Sequence, residues 1–308
     1  MSTDCGAGVT SPKAGLTAEQ LHSWDENGFL ILPSFFSEDV IEAVLRIHAD
    51  VWRGCPSQVI VDNLAVGGRT SMDQLSEEAK QQPHKINDLY LSFPGIRGFA
   101  LDRGLTPILA GLLGDTPVLC NTLSLDYGTE QGMHADSLYM TPPRESPLVA
   151  TWTALEDCHP DAGPLEYVPG SHRIAPYRFS DGRLTEVAGE YGAWESYIGH
   201  HVARLGLVKQ QFLPRKGDVF IWHGQLLHGG GKRNDAGRTR RSLVCHYFTV
   251  GASRAAGYKL VLEDGGCWMQ RPPQAASAVR RAAALSARAM RLARYHLEQA
   301  LEKVLRRK

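Results

Sequence analysis

Between residues 118 and 250 the chain is cut into short apolar runs by glycine and proline. Val118-Leu119-Cys120-Asn121-Thr122-Leu123-Ser124-Leu125 reads as a strand that ends in a turn at Tyr127-Gly128. Residues 148–155, rich in Val, Thr and Trp, read as another. Gly163-Pro164-Leu165-Glu166-Tyr167-Val168 is a turn into a strand, broken again at Pro169-Gly170-Ser171-His172. Residues 175–205 read as an insertion, with one helix expected near 193–205. Strands resume at 217–222 and 241–250. Many short strands with such turns point to a double-sheet β-barrel of jelly-roll type over about residues 118–250. The fold class expected for the whole chain is mainly β with flanking helices (α+β).

The flanks read differently. Residues 1–14 are small and polar and are expected to be disordered. Thr17-Ala18-Glu19-Gln20 is a capping box that opens a helix, and Asn27-Gly28 stops it. Phe29-Leu30-Ile31-Leu32 reads as a short buried strand, and a second helix is expected from Ser37 to about Arg53. Residues 54–84 look irregular and polar, either a mobile flap or a long connection. A short helix is expected around residues 104–113. One domain over 15–270 accommodates all of this.

After Pro272-Pro273 the pattern is helical. Val279, Ala283, Met290, Leu297, Leu301 and Val304 form one stripe, with Arg280, Arg288, Arg291, Arg294 and Arg306 on the other side. Residues 271–308 hold ten Lys or Arg against two acids, a net of +8, whereas the whole chain is neutral. Neutrality gives no case for a nucleic-acid partner. A basic amphipathic C-terminal helix can dock on the barrel, lie on an anionic membrane surface, or pair with a second copy. The oligomeric state is open. The six cysteines are scattered without a C-x-x-C, residues 1–12 contain no apolar signal core, and no run approaches 18 apolar residues. The expectation is a cytoplasmic protein, peripheral to the inner face of a membrane if the tail binds lipid.

The stretch that carries chemistry is Gly132-Met133-His134-Ala135-Asp136. In extended backbone, residues i and i+2 share a face, so His134 and Asp136 can grip one ion while Ala135 turns away. A third ligand is expected from His228, followed by Gly229-Gly230-Gly231, which let backbone and co-substrate come close. Two histidines and one carboxylate with open positions form the facial triad of non-haem Fe(II) oxygenases. Other histidines fit less well. His159-Pro160-Asp161 has the same spacing but sits among turn formers. No ligand-receiving turn follows His223, and His172 reads as a loop-fixing residue.

Taken in order, these parts resemble the phytanoyl-CoA dioxygenase family of Fe(II)- and 2-oxoglutarate-dependent oxygenases. The resemblance rests on Leu16-Thr17-Ala18-Glu19-Gln20 leading to Gly28-Phe29-Leu30-Ile31-Leu32-Pro33, then His134-Ala135-Asp136, Gly163-Pro164-Leu165 with Val168-Pro169-Gly170-Ser171-His172-Arg173, Gly217-Asp218, His228-Gly229, and Arg240 before the last strand. It spans about residues 16–250 and omits the basic tail. It implies a double-stranded β-helix (jelly-roll, cupin-like) core, with iron on His134, Asp136 and His228. It also implies an arginine for the far carboxylate of 2-oxoglutarate, since a guanidinium fork matches a carboxylate.

The family's spacing from the second histidine lands on Thr239. Alignment through Cys245-His246-Tyr247 puts Arg240 in the slot, with Arg238 and Arg241 facing elsewhere. Where relatives often have a serine on that carboxylate this chain has Gly230, so one hydrogen bond must come from another residue. Trp152 falls where relatives place an aromatic beside the co-substrate, and Asn121 is a candidate to reach the keto acid. The family's halogenating members lack the carboxylate ligand; with Asp136 present, the implied reaction is hydroxylation of an aliphatic C–H using O2, releasing succinate and CO2. The substrate class is a small or amphipathic molecule. Two rival readings stand beside this one: a non-catalytic cupin-like binding protein, and a zinc hydrolase on the same three ligands. The second has no H-E-x-x-H-type base and leaves the arginine cluster unexplained.

Overall fold

The structure is a computed structural model and describes residues 15–274. The expected N-terminal disorder and the basic C-terminal helix lie outside the described residues.

In chain order the elements are helix α1 (Ala18–Asn27), strand β1 (Phe29–Leu32), helix α2 (Glu38–Gly54), strands β2 (Ile60–Asn63) and β3 (Arg69–Ser71), the one-turn α3 (Glu77–Lys80), strand β4 (His84–Asn87), helices α4 (Pro94–Ala100) and α5 (Leu105–Leu113), and strands β5 (Pro117–Leu125), β6 (Val149–Ala154) and β7 (Leu165–Tyr167). There follow helix α6 (Tyr191–Arg204), strands β8 (Gln210–Phe212), β9 (Val219–His223), β10 (His228–Gly230) and β11 (Ser242–Thr249), helix α7 (Val250–Ala255), and strands β12 (Leu260–Glu263) and β13 (Gly266–Met269). The capping box forms as written, with the Thr17 hydroxyl and Gln20 side chain each meeting the other's backbone N–H. Gly28 ends α1 at φ 78°, which a side chain would resist.

Two sheets face each other. The larger runs β1-β9-β6-β11-β5-β4-β2-β3, with β13 added parallel to β5 and β12 beyond it; the smaller is β10-β7-β8. This is the jelly-roll core. Residues 54–84, expected to be irregular, instead form β2, β3 and β4 and extend the larger sheet. They were hard to read because three- and four-residue strands at a sheet end carry polar residues and little periodicity.

The larger sheet is buried on both faces. In β9 and β11, Val219, Ile221, Leu243, Cys245 and Tyr247 pack with Ile41, Val44, Leu105 and Leu109 of the helices. The alternate residues Phe220, Trp222 and Val244, with Trp152 of β6, face inward against Leu165, Tyr167 and Phe212 of the smaller sheet. Two-sided burial is why β11 reads as a continuous apolar run. The pairing of β11 with β5 slips by one residue: His246 pairs with Asn121 but Tyr247 with Leu119, leaving Cys120 unopposed. Such a slip re-aims side chains, and it brings Asn121, Leu123 and Leu125 to the inner face.

The 175–205 insertion covers the ligand loop from outside. Phe179 and Trp194 pack there with Ala135, Leu138, Val168 and Leu227. Phe220 sits where both sheets meet, stacked on Phe29 at 5.1 Å and against Tyr167 and Phe212. Phe220→Ala should cost about 3–5 kcal/mol of stability, read as a lower denaturation midpoint in urea; an unchanged midpoint would show that the sheets do not depend on this contact.

Candidate metal centre

His134 is tied to His228 by backbone. His134 N–H donates to His228 O at 2.8 Å, and His228 N–H donates to His134 O at 2.9 Å, an isolated antiparallel bridge. The H-x-D stretch is thus extended only as far as Ala135; Asp136 begins a 3-10 turn through Leu138. The alternation still holds. His134 and Asp136 face the interior, and Ala135 points into the cluster under α6.

One candidate ligand atom from each of His134, Asp136 and His228 lies within 4.8 Å of the others, and all three residues are buried. Each histidine's Nδ1 lies against a backbone carbonyl: Gly132 O at 2.8 Å for His134, Leu226 O at 3.0 Å for His228. A carbonyl only accepts, so Nδ1 carries the hydrogen and Nε2 presents its lone pair inward, as metal-binding histidines require. Burial, then the neighbouring His228, push the His134 pKa down to about 3, against the pull of Asp136. Burial alone would raise Asp136. The neighbouring His228, and then His246, outweigh it and hold the carboxyl well below its usual range. Two imidazole nitrogens and a carboxylate oxygen, with His134 held neutral, are the donor set a divalent transition metal takes.

The triad opens on a cavity of about 70 Å³. Arg240 stands on its wall, 3% exposed. Its backbone N–H donates to Asp126 O at 2.7 Å and its Nη1 donates to Gly163 O at 2.8 Å. Its guanidinium lies 5.5 Å from the Trp152 ring, also on the wall. Arg240 Nε and Trp152 Nε1 are buried with no hydrogen-bond partner, and among the described residues no carboxylate pairs with Arg240. Burial lowers its pKa to about 10, so it stays charged at neutral pH. Arg238 pairs with Asp235 at 3.1 Å and Arg241 faces Asp126 at 3.5 Å, both half-exposed.

The glycines after His228 admit backbone. A Cβ at Gly229 would lie 2.8 Å from Gln131 O, and one at Gly230 would lie 2.7 Å from Thr129 Oγ1 and 2.8 Å from Glu130 N. The Thr129 hydroxyl therefore fills the space that a side chain at 230 would enter, on the same cavity wall.

Asn121 is not on that wall. Its amide is engaged by Asp88 at 2.9 Å and its carbonyl by His246 at 3.0 Å, one residue back from the cavity. Of the decoys, His223 packs with His172 at 5.5 Å and His159 sits half-exposed beside Asp161, both outside the triad. The cavity also takes Lys85, Thr129, Gln131 and His246, which sequence reasoning missed. His246 lay in plain view inside an apolar strand, where a lone histidine signals little.

A family model described as phytanoyl-CoA dioxygenase (PhyH) matches residues 24–242. The chain belongs to the phytanoyl-CoA dioxygenase family. Members of that family are 2-oxoglutarate-dependent dioxygenases that use Fe(II) and O2, and so is this chain. It is 26% identical over 246 residues to peroxisomal phytanoyl-CoA dioxygenase of Rattus norvegicus, covering 75% of this chain and 68% of that one. It is 24% identical over 306 residues to phytanoyl-CoA dioxygenase 1 of Oryza sativa subsp. japonica, covering 85% and 98%. The fold matches the carbocyclase SnoK from nogalamycin biosynthesis, at 18% identity and TM-score 0.58, over 88% of this chain and 97% of that one. It also matches EctD from S. alaskensis, crystallised with 2-oxoglutarate and 5-hydroxyectoine, at 20% identity and TM-score 0.57, over 80% of each chain. No helix among the described residues is long and apolar enough to cross a membrane.

The buried imidazoles make the metal-free protein acid-sensitive. His134 and His223 are pushed down to about 3 and about 4, below the ordinary 6.5. Between those values the unfolded chain takes up protons that the folded protein refuses, so stability falls as pH falls below about 6.5. The urea midpoint of metal-free protein should be lower at pH 5 than at pH 7; equal midpoints would mean that neither ring is held neutral by the fold.

Proposed function

We propose that the protein hydroxylates an aliphatic C–H of a small-molecule substrate, with Fe(II) held by His134, Asp136 and His228 and 2-oxoglutarate anchored on Arg240. The observation that carries this reading is the buried Arg240 guanidinium without a carboxylate, on the same cavity as three converging metal donors. Leaving a charge unpaired in the interior costs several kcal/mol, so the site is built for an anion. A diacid with a keto acid at one end and a free carboxylate at the other suits the two ends of this cavity. Zinc hydrolysis leaves that arginine without a purpose, and passive ligand binding leaves the three converging donors without one.

Iron with 2-oxoglutarate and O2, when bound, supplies the oxidising power for C–H hydroxylation. The chain's own residues do the positioning. Arg240 takes the far carboxylate by a two-pronged hydrogen bond, and Gly163 O and the Trp152 face keep the fork aimed inward. Thr129 supplies the hydroxyl that Gly230 lacks. Lys85, whose Nζ lies 3.3 Å from Gln131 Oε1, adds a second cation to the wall. Leu125, Leu165 and Val244 exclude water around the methylenes.

By the measure on which a water needs about 10–15 Å³, the cavity of about 70 Å³ suits the co-substrate and leaves the primary substrate to approach from outside. The Tyr139 ring, 49% exposed and 5.5 Å from the His134 ring, offers such a substrate an aromatic face near the metal donors.

A succinate-release screen with iron, 2-oxoglutarate and a panel of small molecules tests the reading; succinate formation that ignores iron removal would sink it. Arg240→Met should raise the KM for 2-oxoglutarate about 100-fold, the loss of about 3 kcal/mol from a charged hydrogen-bonded pair. Thr129→Ala should raise it about tenfold. An unchanged KM in Thr129→Ala would remove Thr129 from the anchor.

A further inference from the structure

We propose that Asp136 is held to one-oxygen ligation by a relay of positioning residues that runs from Trp222 and His246 through Asn121 and Asp88 to Arg271. This rests on the metal reading of the triad. The two carboxylate oxygens of Asp136 have different surroundings. Oδ1 faces His228 Nε2 at 3.5 Å, on the metal side. Oδ2 accepts the Trp222 indole N–H at 2.8 Å, and the His246 ring closes over it with Nε2 at 3.5 Å. A carboxylate free to turn can offer an ion both oxygens. With Oδ2 engaged, only Oδ1 is available, which leaves one more position open for a two-pronged co-substrate and O2.

The outer links keep the His246 ring where it is. Its Nδ1 lies 3.0 Å from Asn121 Oδ1. The orientation of the Asn121 amide is settled by its other end, because Nδ2 donates to the Asp88 carboxylate at 2.9 Å. The other Asp88 oxygen accepts from Arg271 Nη2 at 2.9 Å, and the Asp88 backbone N–H donates to Thr122 O at 2.7 Å. Asp88 itself stands at φ 57°, in the left-handed region that side chains avoid. Backbone strain of this kind persists where the surroundings demand it and clusters at functional sites. Asp88, His246 and Asp136 are 7%, 3% and 7% exposed, so the relay is shielded from water. It also fastens Arg271, on the strand-free stretch that leaves β13, to the metal carboxylate.

Trp222 and His246 line the cavity, but Asn121, Asp88 and Arg271 do not, so the effect of the outer links should appear in metal binding before turnover. Partners one step behind a metal ligand typically contribute 10–100-fold in affinity. Co(II) titration under anaerobic conditions, followed by its visible absorption and by competition with a chelator, reads both affinity and coordination number without any reaction. Trp222→Phe should weaken Co(II) binding about 10-fold or more. Asp88→Asn is the decisive variant, since asparagine tolerates the left-handed backbone and removes only the charge that orients Asn121. It should weaken binding about fivefold or more, on the same scale, and change the Co(II) spectrum.

A smaller effect, with the parent's spectrum, overturns the relay whatever Trp222→Phe does. If Trp222→Phe fails to melt cooperatively, Asp88→Asn alone decides. A parent protein that binds no Co(II) sinks the metal reading and the relay together, whereas normal parent binding with an unaffected Asp88→Asn sinks the relay only.

Discussion

The two reciprocal hydrogen bonds between the backbones of His134 and His228 join the parts of the chain that carry chemistry. They turn two distant imidazoles into neighbours whose ring centroids lie 4.4 Å apart. A side-chain cluster alone would have to hold both rings against their own rotamer freedom. Here the spacing is set by main chain, and each ring is then fixed by a carbonyl two residues away. The first two glycines after His228 belong to the same constraint. They let the 129–132 segment lie flat against β10, and any Cβ at Gly229 or Gly230 would push the His134 loop outward.

The larger sheet supplies everything else by parity. One set of alternate residues on β9 and β11 is spent on the helices α2 and α5, and the other set lines the interior. The one-residue slip opposite His246 is a small irregularity with a large result. It brings Asn121 to the inner face, beside His246. Arg240 sits two residues before β11, where its backbone is held by Asp126 while Arg241 points the other way. Opposite demands on adjacent arginines, one buried and one half-exposed, are met by nothing more than the alternation of extended backbone.

Electrostatics and burial pull against each other throughout the cavity. Burial favours neutral imidazoles and disfavours the Arg240 and Lys85 charges. Carbonyl acceptors at Nδ1 fix which ring nitrogen carries the hydrogen. Lys85 is met by Gln131, whereas Arg240 has no carboxylate partner among the described residues, and on the proposed reading an anion supplies it.

Much of the fold could be read from the sequence because its signals are local. The Thr17 capping box, the Gly28 stop and the runs at 118–125, 148–155 and 241–250 each depend on residues a few positions apart. Of the three-residue strands, β7 was legible from the Gly-Pro turn before it, but β3, β8 and β10 were not, since so short a segment is stabilised by its partner and carries no periodicity of its own. The H-x-D spacing and the histidine before three glycines identified the candidate ligands, because a metal site needs particular donor types and these are scarce. Asn121 shows the limit. Its position beside the ligand strand was visible, but a slipped register and the Asp88 carboxylate, remote in sequence, decided that it serves His246 and leaves the cavity wall to others. By itself the sequence determined which chemistry the chain is equipped for. Only the tertiary structure decided which of several histidines and arginines meet, because convergence depends on pairing register and burial, and neither is written in any single stretch of residues.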